Sequence, residues 1–125
     1  MAHSIPVHEV ATAPIAGQKT GTSGLRKNTA EFRKPHYLAN WIQSLLLTLM
    51  PDVVGSTLVV GGDGRFWNDA AVDIIARIAA ANGVAKLLVG RNAILSTPAV
   101  SSIIRRRHAF GTCALARSRA RWHAC

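Results

Sequence analysis

Two short apolar runs, each ended by glycine, flank a helical repeat in the middle of the chain. Residues 57–61 read TLVVG and residues 86–90 read KLLVG. An unbroken apolar run of this length, without polar alternation, reads as a buried strand. Between the two runs, Val72, Ile75, Ala76 and Ala79 recur at intervals of three and four, which puts them on one helix face. Asn68 and Asp69 are of the residue types that cap a helix start, and Gly83 suits its end.

The alternation continues on both sides. Residues 37–50 place Leu38, Trp41, Ile42, Leu45, Leu46 and Leu49 at helical spacing, and Pro51 stops that helix. STPAVSSIIRRR at 96–107 opens a third helix, with Ser96 or Thr97 as cap and Pro98 in the first turn. The predicted order is helix, strand, helix, strand, helix. It specifies an α/β fold, an open sheet layered with helices, whose ligands gather at loops beyond the strand ends. AFG at 109–111 can start a further strand, but nothing after it reads as strand. Residues 1–18 hold two prolines and no periodicity, and are expected to form an extended arm.

Charge is distributed unevenly. The net charge is +9. Residues 1–104 carry nine Lys/Arg and six Asp/Glu, whereas residues 105–125 carry six Arg and no acid. Both cysteines, Cys113 and Cys125, also lie in that last piece. A pair of cysteines in an Arg/Ala-rich tail is a weak disulfide framework, and no disulfide is expected. No secretory signal is visible, and no apolar run approaches the ~18 residues of a membrane span. The first hundred residues read as a cytosolic α/β sequence.

Two loops are candidates for chemistry. GTSGLRK at 21–27 combines glycines, the hydroxyls of Thr22 and Ser23, and the cations Arg26 and Lys27. Glycine allows close approach of backbone N–H groups to an anion, and Arg26 can hold a phosphate with two parallel bonds. The plain alternative is a basic surface turn. GGDGRF at 61–66 starts like a dinucleotide fingerprint, but Trp67 stands where the third glycine belongs. It reads better as a tight strand-to-helix turn in which Asp63 bonds loop N–H groups or pairs with Arg65. The histidines, His3, His8, His36, His108 and His123, have no metal-ligand spacing. Of the three tryptophans, Trp41 belongs to a core and none forms a stacking array. No serine, cysteine or histidine set for nucleophilic catalysis can be placed.

Taken together, GTSGLRK, VVGGDGRFWNDAAVDIIARIAAANGVAKLLVG and NAILSTPAVSSIIR resemble the N-terminal domain of the phosphoglucomutases, in the α-D-phosphohexomutase family. The likeness runs from about Gln18 to Arg105, and through HAFG to Gly111. It implies the incomplete first domain of the phosphohexomutase fold, with an arm at 1–18, a truncated domain at 19–111 and a basic, unrelated tail at 112–125. The family interconverts glucose 1-phosphate and glucose 6-phosphate through a phosphoserine enzyme and glucose 1,6-bisphosphate, with Mg²⁺ on the phosphoserine and on aspartates of a later domain. This is intramolecular phosphoryl transfer, dominated by positioning and charge neutralisation. The resemblance makes Arg26 a sugar-phosphate ligand and sets Thr22 and Ser23 on the same cleft wall.

The chain also departs from the family. A loop of the form Thr-Ala-Ser-His-Asn-Pro-Gly-Gly should begin soon after Gly111, where this sequence reads TCALARSRARWHAC. Ser118 is the one serine there, without the residues that should follow it, and it is not assigned as nucleophile. No catalytic and no metal residue is therefore expected in this chain, no cofactor is expected to bind it, and it is expected to be inactive. The tail has the Arg/Ala bias of GC-rich DNA read out of frame, so a frameshift near codons 105–111 is expected. A sheet short of a strand would associate with itself or aggregate. Expected partners are a sugar phosphate, weakly, through the Arg26 loop, with no specific nucleic acid and no membrane. The alternative is a small basic protein that binds nucleic acid or an anionic membrane through residues 105–125.

Overall fold

The computed structural model describes the backbone of residues 4–21, 24–118 and 121–124, and side chains through residue 112. In chain order the elements are β1 (Leu25–Lys27), α1 (Thr29–Phe32), α2 (Tyr37–Thr48), β2 (Thr57–Gly62), α3 (Asn68–Ala81), β3 (Lys86–Ile94), α4 (Thr97–Arg107), β4 (Gly111–Ser118) and β5 (Arg121–Ala124). Residues 4–18 form no helix or strand. No helix among the described residues is long and apolar enough to cross a membrane.

One five-stranded sheet has the order β1-β5-β4-β2-β3. β2 lies between β3 and β4 and is parallel to both. β5 runs antiparallel to β4 and to β1. The reading that nothing after residue 111 forms a strand is thus corrected. Gly111–Ser118 pairs along β2 from Leu58↔Gly111 to Gly62↔Leu115, and Thr112 Oγ1 also donates to the Val59 carbonyl at 2.9 Å. The Arg/Ala composition hid the strand, because it shows neither β-branched enrichment nor alternation. A second correction concerns residues 25–27, read as part of a loop. They are a short strand, and Leu25 is fully buried.

The sheet is covered on both faces. Alternation along β2 sends Leu58 and Val60 to one side, where they meet Leu38, Ile42 and Leu46 of α2 and Val72, Ile75 and Ala79 of α3. Val59 points the other way, onto Val100 of α4 and Ala109. This is why TLVVG shows no polar position. Each fully buried leucine or isoleucine in the larger cluster contributes about 1.5–3 kcal/mol. The predicted faces of α2 and α3 are the buried ones, with Leu45, Leu49 and Ala76 half-buried. Ser96 caps α4 as expected, its Oγ accepting from the Ala99 N–H at 3.4 Å.

The arm is tied across α2. Gln18 donates to the Tyr37 carbonyl at 2.8 Å, Asn40 donates to Gln18 at 3.1 Å, and the Trp41 indole donates to Thr20 at 3.1 Å. Trp41 is core, as its spacing implied. A cavity of about 540 Å³ remains between Thr12–Ile15 and the Asn40–Thr48 face of α2.

Candidate functional site

Sheet register brings the two candidate loops to the same end of the sheet. Leu25 of β1 pairs with Ala124, which pairs with Leu115, which pairs with Gly62 at the end of β2. Arg26 sits one row further out, opposite His123, which lies opposite Ala116. Arg26 therefore stands at the carboxyl end of the parallel strands, level with the start of the 63–67 loop but three strands across the sheet from it, roughly 14 Å away. Ligands of open α/β sheets collect at that end. The Arg26 side chain is exposed and has no hydrogen-bond or ion-pair partner among the described residues, while its neighbour Leu25 anchors the strand in the core.

The glycines of the first loop serve the turn. Gly21 N–H donates to the Gly24 carbonyl and Gly24 N–H to the Gly21 carbonyl, both at 3.1 Å. Those two donors are consumed by each other's carbonyls and are not part of an anion nest. Thr22 and Ser23, the other two predicted site residues, lie outside the described residues.

In the second loop both predicted roles of Asp63 are realised. Its Oδ1 accepts from the Arg65 N–H at 3.4 Å, and its Oδ2 stands 3.3 Å from Arg65 Nε. The loop ends at Trp67, in the left-handed region at φ 70°. The residue in the third-glycine position thus adopts a backbone that glycine favours. Phe66 is exposed and lies under the Arg33 guanidinium, 5.4 Å from the ring centre.

Sequence reasoning took Asn68 for a cap. It is the first residue of α3, is 2% exposed, and makes no cap bond. Its Nδ2 instead donates to the Ala93 carbonyl at 2.8 Å. That carbonyl belongs to a bulge in β3, where pairing jumps from Val60↔Val89 to Gly62↔Ile94, so β3 advances five residues while β2 advances two. Asn92 and Ala93 take left-handed conformations within it, at φ 56° and 60°. Asparagine at a helix start is an ordinary cap signal, so nothing in the sequence separated this role from capping.

Tyr37 lies at the same end, edge-on to Phe32 with ring centres 5.9 Å apart. Burial pushes its phenol above the ordinary 10.0, Glu31 adds to the rise, and Lys34 opposes it. Its hydroxyl is buried without a hydrogen-bond partner among the described residues. No group of three or more histidine, cysteine or acidic side chains able to hold a metal ion occurs among the described residues.

Residues 17–119 match the family model for the phosphoglucomutase/phosphomannomutase alpha/beta/alpha domain I. The chain belongs to this family. Its match begins in the arm and extends past residue 111 to residue 119. Similar proteins include the chloroplastic phosphoglucomutase 1 of Marchantia polymorpha, 63% identical over 84% of this chain and 16% of the relative. Phosphoglucomutase 1 of Drosophila melanogaster is 56% identical over 86% of this chain and 19% of the relative. The open-form crystal structure of the exocytosis-sensitive phosphoprotein pp63/parafusin, a phosphoglucomutase from Paramecium, superposes with a TM-score of 0.81 at 37% identity, covering 90% of this chain and 22% of that one. The sheet with helices on both faces is therefore that of domain I. The chain spans less than a fifth of the length of these two curated relatives.

Proposed function

We propose that this chain is the first domain of a phosphoglucomutase and forms one wall of its sugar-phosphate site through Arg26, with Thr22 and Ser23 beside it. The observation that carries this is the position of Arg26, exposed and without a partner among the described residues, one row beyond the level at which β2 ends. A guanidinium there can take a phosphate dianion in a bidentate fork, at an edge still open to the rest of a cleft. The Asp63–Arg65 pair stiffens the 63–67 loop and acts as scaffold.

In the whole enzyme the reaction would be the interconversion of glucose 1-phosphate and glucose 6-phosphate through glucose 1,6-bisphosphate. Mg²⁺ would neutralise charge on the transferring phosphoryl group. The described residues hold no site suited to it, so none is proposed here. No nucleophile is assigned either. Where the family resemblance places the serine loop, Ser118 ends β4, its backbone opposite Arg121. On this reading the chain alone binds a sugar phosphate and does not turn it over. Relatives include chloroplastic and cytoplasmic enzymes. The lack of cysteine before Cys113 fits a reducing compartment, and we place the chain in the cytoplasm.

The test is titration of the chain with glucose 1,6-bisphosphate, followed by amide chemical shifts. One wall of a cleft should bind weakly, with a Kd on the order of 1 mM. Shifts should centre on residues 21–27 and 63–67 and vanish in Arg26→Ala. Binding that survives Arg26→Ala unchanged, or shifts centred elsewhere, would overturn the assignment.

A further inference from the structure

The opposite end of the sheet, where the parallel strands begin, carries four exposed cations with no partner among the described residues, and two exposed apolar side chains. We propose that this end docks on an anionic lipid bilayer, independently of any sugar-phosphate binding at the other end.

Main-chain bonds gather the residues. Lys86 opens β3 and pairs with Thr57, the first residue of β2. The Phe110 N–H donates to the Thr57 carbonyl at 2.8 Å, which holds the entry to β4 at the same corner. The Gly55 N–H donates to the Gly83 carbonyl at 2.8 Å, which fixes the Val54 loop beside the turn from α3 into β3. α4 leads from the end of β3 back to the start of β4, so its last turn, Arg105–Arg107, arrives at this end too.

Lys86 and the three arginines are exposed, and none has a hydrogen-bond or ion-pair partner among the described residues. Val54 is 52% and Phe110 44% exposed. Asp52, in the loop before β2, also lies at this end and leaves its charge positive.

The shape favours a flat anionic surface over a nucleic-acid groove. Successive helical residues point about 100° apart, so three consecutive arginines spread over more than half of the helix circumference. A helix lying in a groove would offer only part of that set. A helix meeting a plane end-on offers all three. Guanidinium forks suit lipid phosphates, and Phe110 and Val54 suit the boundary between headgroups and acyl chains. A single exposed aromatic provides no stacking platform for bases. The docked orientation would leave Arg26, at the far end, facing away from the bilayer.

Flotation of the full chain with lipid vesicles tests this. The chain should float with phosphatidylcholine vesicles containing about one-third phosphatidylserine, stay behind with pure phosphatidylcholine, and be released by salt. Each arginine near such a surface is worth a factor of about five, so Arg105→Gln/Arg106→Gln/Arg107→Gln should lower partitioning roughly a hundredfold. Phe110→Ser should lower it while keeping the charge, and serves as the second arm if the triple variant loses its helical signal. Arg91→Gln, in the β3 bulge at the opposite end, should leave it within about twofold. Equal binding to neutral vesicles would overturn the proposal. So would full binding by both variants, or loss of binding only on Arg117→Gln/Arg121→Gln. Stronger binding to RNA than to anionic vesicles in direct competition would assign the face to nucleic acid and overturn it as well.

Discussion

The two ends of the sheet solve the same geometric problem in different ways. At the start of the strands, the sharp turns fall on Gly55 and Gly83, with His108 the one non-glycine residue in a left-handed conformation there among the described residues. At the carboxyl end the left-handed residues include Trp67, Asn92 and Ala93. A left-handed L-residue costs roughly 1–2 kcal/mol. The carboxyl end therefore holds strain that the surrounding structure must enforce, through Asn68 and through the bulge in β3. Strain of this kind concentrates where a backbone must be held in one shape for binding. The strand-start end carries exposed charge at Lys86 and Arg105–Arg107, although Val53 and Ala109 there are buried.

The same substitution at each end should show the largest difference. At Gly90, in the bulge, an added Cβ would fall on the Ile94 carbonyl oxygen and on the Leu95 side chain. The obstacle is backbone, so it cannot rotate away. Gly90→Ala should cost about 3 kcal/mol or more, at the upper end of overpacking costs. At Gly55 an added Cβ meets nothing within 4 Å, and only the φ of +73° opposes it. Gly55→Ala should cost about 1–2 kcal/mol. Urea unfolding of the two variants beside the parent measures both. Equal losses would show that the ends are equally constrained.

Asn68→Ala comes next. It removes the donor from the buried Ala93 carbonyl, and an orphaned buried acceptor costs about 1–3 kcal/mol. If Asn68 only shaped the helix start, a capping residue would restore the loss. Asn68→Ser should not restore it, because a serine side chain is too short to replace the Nδ2 bond to Ala93. Thermal melts of the two variants separate the readings, and recovery in Asn68→Ser would reduce the bond to a cap.

The fold was readable where burial leaves a periodic trace. TLVVG and KLLVG are strands because both faces are covered, and the helices between them show their apolar stripes. The Asp63–Arg65 pair was legible from its spacing alone. Three features were not. Gly111–Ser118 becomes a strand by pairing along β2, a tertiary effect that leaves no mark in CALARS. The bulge after Val89 sits where KLLVG seemed to end, since a glycine closing an apolar run looks the same whether the strand stops or bulges. The glycines of GTSG look alike whether their N–H groups face an anion or each other, and here they face each other. Arg26 was legible as a candidate, but only sheet register shows that it stands at the carboxyl end of the parallel strands.

Tyr37 gives the carboxyl end a pH dependence of its own. Its phenol is raised above 10.0, chiefly by burial, so the folded state holds that proton more tightly than the unfolded chain does. The contribution is complete below about pH 10 and is lost as pH climbs through the folded value. Tyr37→Phe removes this loss. It also deletes a buried hydroxyl with no partner among the described residues, so stability at neutral pH should stay level or rise by up to about 1 kcal/mol. Unfolding curves at neutral pH and near pH 11 decide the point. A variant that loses stability at neutral pH would mean that the hydroxyl has a bond worth keeping.

The smallest stability effect should come from the most conspicuous charges. Arg105, Arg106 and Arg107 sit on the last turn of α4, where the helix dipole favours cations, but they also repel one another. They are exposed and have no partner among the described residues. Replacing all three with glutamine should move stability by no more than about 0.5 kcal/mol, the range of ordinary surface changes. Partitioning onto anionic vesicles should meanwhile collapse. That separation of binding from stability is what distinguishes a docking face from a structural one. A triple variant that unfolds several degrees early would place these arginines in the fold's own energetics, and the contrast between the two ends would fail there.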